Sequence, residues 1–347
     1  MWRKDAPPQN AKRGETMKIL LIGGTGNLSQ ACGELLVQRG HQVTLLNRGK
    51  SKAGFACEIL LADRNAPGVL KQALDGRVFD VIADFICFDE KDAAIAFEAC
   101  KGRCGQYILI STTVVYDKPP RVLPVTEMAP LGNRFSEYGR KKEAAERFLL
   151  DKFAREKFPL SIIRPSHTYS ERWLPNPVTS VGYTLAARME KGLPVFVHDD
   201  GQGLWTLTHV RDFAVGFAGL CGAPGSLGEA YQITSDLVLT WNQILRETAL
   251  ALGVSSVEVV QIPTDFICEV VPMMSDKLRG DKACAGVFDC SKIKALVPDF
   301  DCRISFRQGI RESIAWFKED PARQIVNPEH DQVFDTIIHA WKKHSAG

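Results

Sequence analysis

A glycine-rich turn near the start of the chain constrains the fold more than any other sequence feature. The run Gly23-Gly24-Thr25-Gly26-Asn27-Leu28-Ser29 directly follows the apolar segment Lys18–Ile22 and opens a helical pattern that continues to about Arg39. A short buried strand, a tight glycine turn and an amphipathic helix in this order are typical of the first half of a β-α-β unit. Such units build parallel sheets that wind right-handedly and carry helices on both faces.

The alternation of strand-like and helical segments continues through the first 165 residues. Further strands are predicted at 42–46, 58–61, 78–83, 106–111 and 160–164. After Pro165 the strand-like runs 195–197, 204–208 and 230–233 alternate with helices in no regular order. The pattern predicts an α/β fold, namely a doubly wound parallel sheet of the Rossmann type with a smaller C-terminal α+β substrate domain.

The length of 347 residues allows two domains. We expect a dinucleotide-binding domain at 17–165, to which the chain returns at about 205–236, and a substrate-binding domain formed by 166–204 and 237–347. Residues 1–16 are polar, basic and proline-containing, which favours a disordered extension.

The composition is that of an ordinary globular protein, with 45% hydrophobic and 24% charged residues. A net charge of +2 gives no indication of a nucleic-acid or membrane partner. The ten cysteines form no Cys-x-x-Cys pair, and several lie in apolar runs, so we expect reduced thiols and a cytoplasmic location. The run His198-Asp199-Asp200-Gly201 fits a polar turn better than a metal site, and no metal is expected.

The glycine turn has the form of a pyrophosphate-binding loop, because glycine lets the backbone approach the phosphates at a helix N-terminus. The next strand ends in Asn47-Arg48-Gly49-Lys50, which offers two cations and no carboxylate. Arginine there can accommodate the 2′-phosphate of an adenosine ribose. We therefore expect NADP(H) to be preferred and NAD(H) to be possible, with Asp63 at the end of the third strand close to the adenine amino group.

Tyr138 and Lys142 lie four residues apart near the start of a helix predicted from Ser136 to Glu156, and therefore on one face. The ammonium group would lower the pKa of the phenol toward neutrality, which suits proton exchange with an alcohol or ketone. Thr112 follows the predicted strand at 106–111, at the sheet edge where ligands of such folds bind. Its hydroxyl could orient the substrate oxygen.

With these elements in order, the chain resembles the extended short-chain dehydrogenases/reductases, which include nucleotide-sugar epimerases and dehydratases. The resemblance covers roughly residues 17–317. It rests on Gly23–Ser29, Thr112 before Tyr116, the pair Tyr138 and Lys142, Arg164-Pro165…Tyr169, His209-Val210-Arg211-Asp212, Asp289–Lys292 and Trp316-Phe317.

The resemblance implies a set of site residues. The residues expected to contact the cofactor are Gly23, Thr25, Gly26, Asn27, Leu28, Asn47, Arg48, Asp63, Arg64, Asp84, Lys142, Pro165 and His167. The residues expected to contact the substrate are Thr112, Thr113, His167, Trp205 and Arg279, of which Trp205 could equally be a packing residue and His167 a structural histidine. Trp205 stands where relatives carry a diphosphate-binding arginine, and Arg279 resembles a second one.

The function that the resemblance implies is that of an NAD(P)-dependent epimerase or ketoreductase acting on a secondary alcohol or ketone of a sugar, with a nucleotide-linked sugar favoured. A 4,6-dehydratase is disfavoured, because Thr113 and Val114 stand where that subgroup has an Asp-Glu pair. The alternative is an atypical member that binds RNA or another ligand, as the chloroplast stem-loop-binding proteins do. Helices at 89–100 and 136–156 pair between subunits in many relatives, so a homodimer is expected.

Overall fold

The computed structural model describes residues 15–346. Most of the expected N-terminal extension, residues 1–14, lies outside this range. The strands are β1 (Lys18–Ile22), β2 (Gln42–Asn47), β3 (Glu58–Leu61), β4 (Phe79–Asp84), β5 (Cys104–Ile110), β6 (Leu160–Pro165), β7 (His167–Tyr169), β8 (Val195–His198), β9 (Leu204–His209), β10 (Ala230–Ile233), β11 (Val238–Thr240) and β12 (Val259–Ile262).

The helices include several of only one or two turns. They are α1 (Asn27–Gln38), α2 (Val69–Ala73), α3 (Glu90–Cys100), α4 (Glu137–Glu156), α5 (Thr184–Glu190), α6 (Val210–Leu220), α7 (Trp241–Leu252), α8 (Thr264–Val270), α9 (Met274–Lys277), α10 (Ser291–Leu296), α11 (Phe306–Glu319) and α12 (Pro328–Ser345). A π-helical turn at Leu278–Lys282 directly follows α9. Within residues 15–346, no helix combines the length and the apolar character needed to cross a membrane.

Seven parallel strands form the central sheet in the order β10-β6-β5-β4-β1-β2-β3. The strand order reverses beside β1, so the carboxyl ends of β1 and β4 flank the crevice where open α/β sheets bind ligands. Apolar side chains fill both faces of the sheet, with α1 and α6 on one side and α3 and α4 on the other. The predicted doubly wound fold is confirmed.

Two small sheets and most of the remaining helices surround a separate apolar cluster. The order β11-β9-β7 forms one sheet and β12-β8 the other. The cluster joins α5, α7, α11 and α12 to these strands, with Trp241 fully buried at its centre. The division of the chain into domains at residue 165 stays a prediction.

Individual element ends differ from the sequence predictions by one or two residues. The strand predicted at 78–83 is shifted to Phe79–Asp84, because Val78 is exposed and Asp84 is fully buried in a hydrogen-bond network. The helix predicted from Ser136 begins at Glu137, because Ser136 is its N-cap and accepts a hydrogen bond from the Gly139 N–H at 3.1 Å.

Candidate active site

The glycine-rich turn joins β1 to α1 at the carboxyl edge of the sheet. Gly23 has φ +84°, and a Cβ there would lie 2.6 Å from Ile86 Cγ2. A Cβ at Gly24 would lie 2.2 Å from Leu45 Cδ2. The turn therefore needs glycine both for its backbone conformation and for its close approach to the neighbouring strands.

A cavity of about 600 Å³ opens beside this turn, between the ends of β1, β2, β3 and β4. Seven of the residues expected at the cofactor line it: Gly23, Thr25, Gly26, Asn47, Arg48, Asp63 and Arg64. Asn27 instead lines a smaller cavity of about 270 Å³ on the other side of the turn, and Leu28 packs against the apolar core beneath the sheet.

The segment after β4 contributes further lining residues that sequence reasoning missed. Ile86, Phe88 and Asp92 all border the larger cavity. Their position just beyond the carboxyl end of a central parallel strand is the signal that could have identified them.

Two residues expected at the cofactor, Arg64 and Asp84, are engaged with each other. Arg64 Nη1 donates to both carboxylate oxygens of Asp84, at 2.7 and 2.6 Å, and Arg64 Nη2 donates to the Asp92 carbonyl at 2.7 Å. The Tyr107 hydroxyl also donates to Asp84, at 2.9 Å. Arg64 lines the cavity whereas Asp84 does not, so the expectation that Asp84 itself contacts the cofactor is not supported by its position.

The three residues expected to be catalytic lie at the ends of β5 and α4. Thr112 follows β5 and its hydroxyl accepts the Val114 N–H at 3.2 Å, while Tyr138 and Lys142 lie on the first two turns of α4. The Lys142 ammonium is buried and donates to the carbonyls of Cys87 and Ile110, at 2.7 and 2.8 Å. It lies 5.9 Å from the centroid of the Tyr138 ring. Thr113, expected to contact substrate, is buried in the turn after Thr112.

The direction predicted for the pKa of Tyr138 is wrong for this structure. Burial raises the pKa of Tyr138 to about 12, the neighbouring Thr112 hydroxyl opposes this by hydrogen bonding, and Asp281 adds to the rise. Lys142 does not lower it because the ammonium is directed into the two carbonyls, and burial lowers the pKa of Lys142 itself. The residue as a whole is nevertheless 41% exposed.

His167, expected at both cofactor and substrate, begins β7 directly after Pro165 and Ser166. Its Nε2 lies 2.8 Å from the Ser180 hydroxyl. Burial, together with the positive charge of Lys282, lowers the pKa of His167 to about 3. The imidazole is therefore neutral at physiological pH and can act as a hydrogen-bonding group but not as a cation.

Trp205, expected either to contact substrate or to pack, is 3% exposed. Its ring centroid lies 5.4 Å from that of Trp241 and 6.3 Å from that of His167. A Cβ on Gly286 would lie 2.9 Å from the Trp205 ring. This position favours the packing interpretation.

Arg279, expected to bind phosphate, donates to the Asp265 carboxylate at 2.8 and 3.2 Å on the protein surface. The next two residues lie closer to the catalytic helix. Asn133 donates to the Gly280 carbonyl at 2.7 Å, and a Cβ on Gly280 would lie 2.9 Å from Ser136 Cβ. Sequence reasoning missed Asp281, whose pKa burial raises to about 6 while Lys118 and Lys282 act to lower it.

The residues present fit a dinucleotide. Three places along the crevice hold buried polar atoms that find no partner within residues 15–346: both side-chain polar atoms of Asn27 at the glycine turn, Asn47 Nδ2 at the end of β2, and Ser111 Oγ at the end of β5. Buried polar groups are costly unless they are hydrogen-bonded, so such atoms indicate a polar ligand. The N-cap of α1 is Gly26, which has no side chain to occupy the first-turn N–H groups.

Comparisons with known proteins agree with this geometry. Residues 91–233 match the model of the NAD dependent epimerase/dehydratase family. The chain is 25% identical to 2′-dehydrokanamycin reductase of Streptomyces kanamyceticus over 295 residues, which cover 83% of this chain and 81% of that protein. It is 28% identical to the chloroplast stem-loop binding protein of 41 kDa b of Arabidopsis thaliana over 341 residues, covering 94% and 85%.

Solved structures show the same fold. The UDP-glucuronic acid 4-epimerase of Bacillus cereus, in complex with UDP-glucuronic acid and NAD, superimposes with a TM-score of 0.69 at 18% identity, covering 87% of this chain and 99% of that one. An epimerase of Methanothermobacter thermautotrophicus gives a TM-score of 0.72 at 16% identity, covering 89% and 94%. These similarities establish the fold, and residues 91–233 resemble the NAD dependent epimerase/dehydratase family.

Proposed function

We propose that this protein is an enzyme that interconverts a secondary alcohol and a ketone on a sugar, as an epimerase or as a ketoreductase. One observation carries the proposal. Thr112 and Tyr138 come together at the carboxyl edge of the sheet, and the Lys142 ammonium, held by the carbonyls of Cys87 and Ile110, lies 5.9 Å from the centroid of the Tyr138 ring. Hydroxyl and phenol together can hold one substrate oxygen between two hydrogen-bonding groups.

A nicotinamide dinucleotide bound in the crevice would supply hydride acceptance and donation. Gly23, Thr25, Gly26, Asn47 and Arg48 would hold its adenosine and pyrophosphate portions, because these residues line the larger cavity. Lys142 has one ammonium hydrogen beyond the two given to carbonyls, and it can anchor the nicotinamide ribose with that group.

The protein's own residues determine the proton chemistry. With its pKa raised to about 12, Tyr138 carries its proton at neutral pH and can donate it to a substrate carbonyl oxygen as a ketone becomes an alcohol, and the phenolate that remains takes a proton back when an alcohol is oxidised to a ketone. Thr112 orients that oxygen. His167 is neutral, and its nitrogen that is not bonded to Ser180 remains able to contact the substrate.

The names of similar proteins support the proposal of a sugar substrate. One similar protein is a reductase of a dehydrokanamycin, and solved structures with the same fold are epimerases of UDP-glucose and UDP-glucuronic acid. These names support a sugar substrate, and the two epimerases favour a nucleotide-linked one. Arg279 could join the binding of a diphosphate by exchanging its partner Asp265 for it.

The function can be tested with UDP-glucose as the epimerase probe and 2′-dehydrokanamycin with NADPH as the reductase probe. We expect turnover of one of them, and a loss of roughly 10²- to 10⁴-fold in Tyr138→Phe, because the proton donor is removed. Tyr231→Phe is the matched control, since Tyr231 lies on β10, away from α4, and its hydroxyl donates to the Gly225 carbonyl. Unchanged turnover in Tyr138→Phe would contradict the mechanism.

We further propose that NADP(H) is preferred over NAD(H). The Asn47 side-chain oxygen accepts the Gly49 N–H at 2.8 Å, while its Nδ2 has no hydrogen-bond partner among residues 15–346. The exposed Arg48 and Lys50 border the same cavity. A rim of donors and cations suits a 2′-phosphate better than a free ribose hydroxyl.

The cofactor preference is tested by Arg48→Gln. The KM for NADPH should rise roughly tenfold to hundredfold, the size expected for losing a charge-assisted contact, while the KM for NADH stays unchanged. Arg155→Gln, an exposed arginine of α4, is the control. Equal KM values for NADPH and NADH in the wild type would contradict the preference.

A second candidate function is RNA binding, which the 28% identity to a chloroplast stem-loop binding protein over 94% of the chain favours. The net charge of +2 argues against it. A gel-shift titration with a stem-loop RNA distinguishes the two. Submicromolar binding at physiological salt, with no binding of dinucleotide, would establish this candidate in place of the enzyme.

We also propose that the protein is a cytoplasmic homodimer. α3 and α4 pack side by side at one face of the central sheet, where the relatives' subunits are expected to pair. Light scattering should give twice the mass of 38.4 kDa, and a monomeric mass would contradict the proposal.

A further inference from the structure

Ser29 stands where a dinucleotide-binding turn ordinarily has its third glycine, whose role is to let helix and strand pack closely. The serine is accommodated without exposure, since only 1% of it is accessible. Its hydroxyl makes two well-formed bonds across the turn. It accepts the Gly26 N–H at 2.9 Å and donates to the Gly23 carbonyl at 2.9 Å.

These two bonds connect both ends of the tetrapeptide Gly23–Gly26 through one buried atom. Gly23 is held from the other side as well, because its N–H donates to the Leu46 carbonyl at 2.9 Å. The turn contains three glycines in four residues, and glycine loses the most conformational freedom on ordering. Without Ser29, the protein would have to order this flexible segment when the ligand binds.

The arrangement also decides which backbone donors remain for an anion. Ser29 is the third residue of α1 and Gly26 is its N-cap, so the bond from Gly26 N–H to Ser29 Oγ is one half of a capping box. The other half is missing because Gly26 has no side chain. The Gly26 N–H is thereby occupied, while the first-turn N–H groups of Asn27, Leu28 and Ser29 have no partner within the helix by their position.

We propose that Ser29 is a positioning residue that holds the glycine-rich turn in its dinucleotide-binding shape before the ligand arrives. The inference rests on the proposed binding of a dinucleotide at this turn. Ser29 does not touch the ligand in this account. It lowers the cost of binding by ordering the turn in advance, and it directs the pyrophosphate to the first-turn N–H groups of α1.

The test compares Ser29→Ala, Ser29→Gly and Ser29→Thr. Alanine keeps the Cβ and removes both bonds, glycine restores the usual motif, and threonine keeps the hydroxyl. We expect the Kd of NADPH, measured by titration calorimetry, to rise about tenfold in the alanine and glycine variants, the size expected for the loss of one or two buried hydrogen bonds. The Kd should change little in the threonine variant. The kcat at saturating NADPH should stay close to the wild-type value.

A purely structural role would lower the melting temperature and leave the Kd of NADPH unchanged. That result, or binding by Ser29→Gly as tight as in the wild type, would overturn the proposal.

Amide hydrogen exchange of the ligand-free wild-type protein provides a test that needs no variant. The Gly26 N–H should exchange at least tenfold more slowly than in an unstructured peptide, because it is bonded to Ser29. Exchange at the unstructured rate would overturn the proposal. If the wild type binds neither NADPH nor NADH, both the proposed function and the proposed role of Ser29 are contradicted. If only the role of Ser29 is wrong, the wild type still binds NADPH.

Discussion

The two sides of the catalytic edge are built differently. On the side proposed to bind the cofactor, the turn Gly23–Gly26 and the end of β2 border an open cavity of about 600 Å³, with exposed cations at its rim. On the side proposed to face the substrate, Trp205 and Trp241 pack against each other as part of the wall, with ring centroids 5.4 Å apart. There the buried Lys282 ammonium donates to the Asn176 carbonyl at 2.6 Å.

The contacts that shape the two sides also differ in range along the chain. Ser29 bonds to a residue three positions away, whereas Lys282 bonds to one 106 positions away. Lys277 donates to the Val178 carbonyl across 99 positions. A short sequence motif can therefore form the proposed cofactor site. The proposed substrate side instead depends on contacts between segments that are far apart in the sequence.

The largest effect is expected where the two sides meet, at Tyr138. Tyr138→Phe should reduce kcat by roughly 10²- to 10⁴-fold and leave the Kd of NADPH within twofold, because the phenol acts on the substrate oxygen. Steady-state kinetics and calorimetry on the same preparation check both values. A parallel loss of NADPH binding would mean that Tyr138 belongs to the cofactor side.

On the cofactor side, Asp84→Asn should lower the free energy of unfolding by about 3–5 kcal/mol, because it leaves the buried Arg64 charge without its partner. Urea unfolding measures the change. The matched control is Arg77→Ala, which breaks the exposed ion pair with Glu58 and should cost less than about 1 kcal/mol. If the two variants lose similar amounts of unfolding free energy, the Asp84–Arg64 ion pair is not buried away from water, which would contradict the structure.

On the substrate side, Lys282→Met should lower the free energy of unfolding by about 1–3 kcal/mol, since the Asn176 and Pro177 carbonyls lose their donor. The KM for substrate should rise while the Kd of NADPH stays unchanged. A changed Kd of NADPH in Lys282→Met would contradict the separation of the two sides.

The substrate side should also make the protein sensitive to acid. Burial lowers the pKa of His198 and of His209 to about 4 each, and that of His167 to about 3, so the unfolded chain binds these protons first as the pH falls. Asp281, whose pKa burial raises to about 6, and Asp212, whose pKa is raised, act in the opposite direction.

Because the three histidines outweigh the two carboxyl groups, the free energy of unfolding should fall as the pH is lowered from about 6.5 to about 4. Each histidine contributes at most about 1.4 kcal/mol per pH unit, reached where the unfolded chain holds the proton and the folded protein does not. Urea unfolding at pH 7, 6 and 5 measures the fall, and His198→Phe should make the dependence shallower. Stability that rises as the pH falls through this window would contradict the assignment of neutral, buried histidines.

Much of the fold could be predicted because its signals are local. The apolar run Lys18–Ile22 and the turn after it have the predicted structure, and the strands of the central sheet differ from prediction only at their ends. The pairing of Arg64 with Asp84 could not be predicted, since nothing in either residue's neighbourhood shows that they meet. The prediction that Lys142 lowers the pKa of Tyr138 is wrong for the same reason. The carbonyls that engage Lys142 belong to Cys87 and Ile110, which lie in other parts of the chain.

The most direct test of the central claim is a calorimetric titration of the purified wild-type protein with NADPH and with NADH. We expect saturable, one-to-one binding of both, with the tighter Kd for NADPH, and a Kd for NADH that Arg48→Gln leaves unchanged. Failure of both dinucleotides to bind at millimolar concentration would contradict the account, because the glycine-rich turn and the cavity beside it would then serve some other ligand.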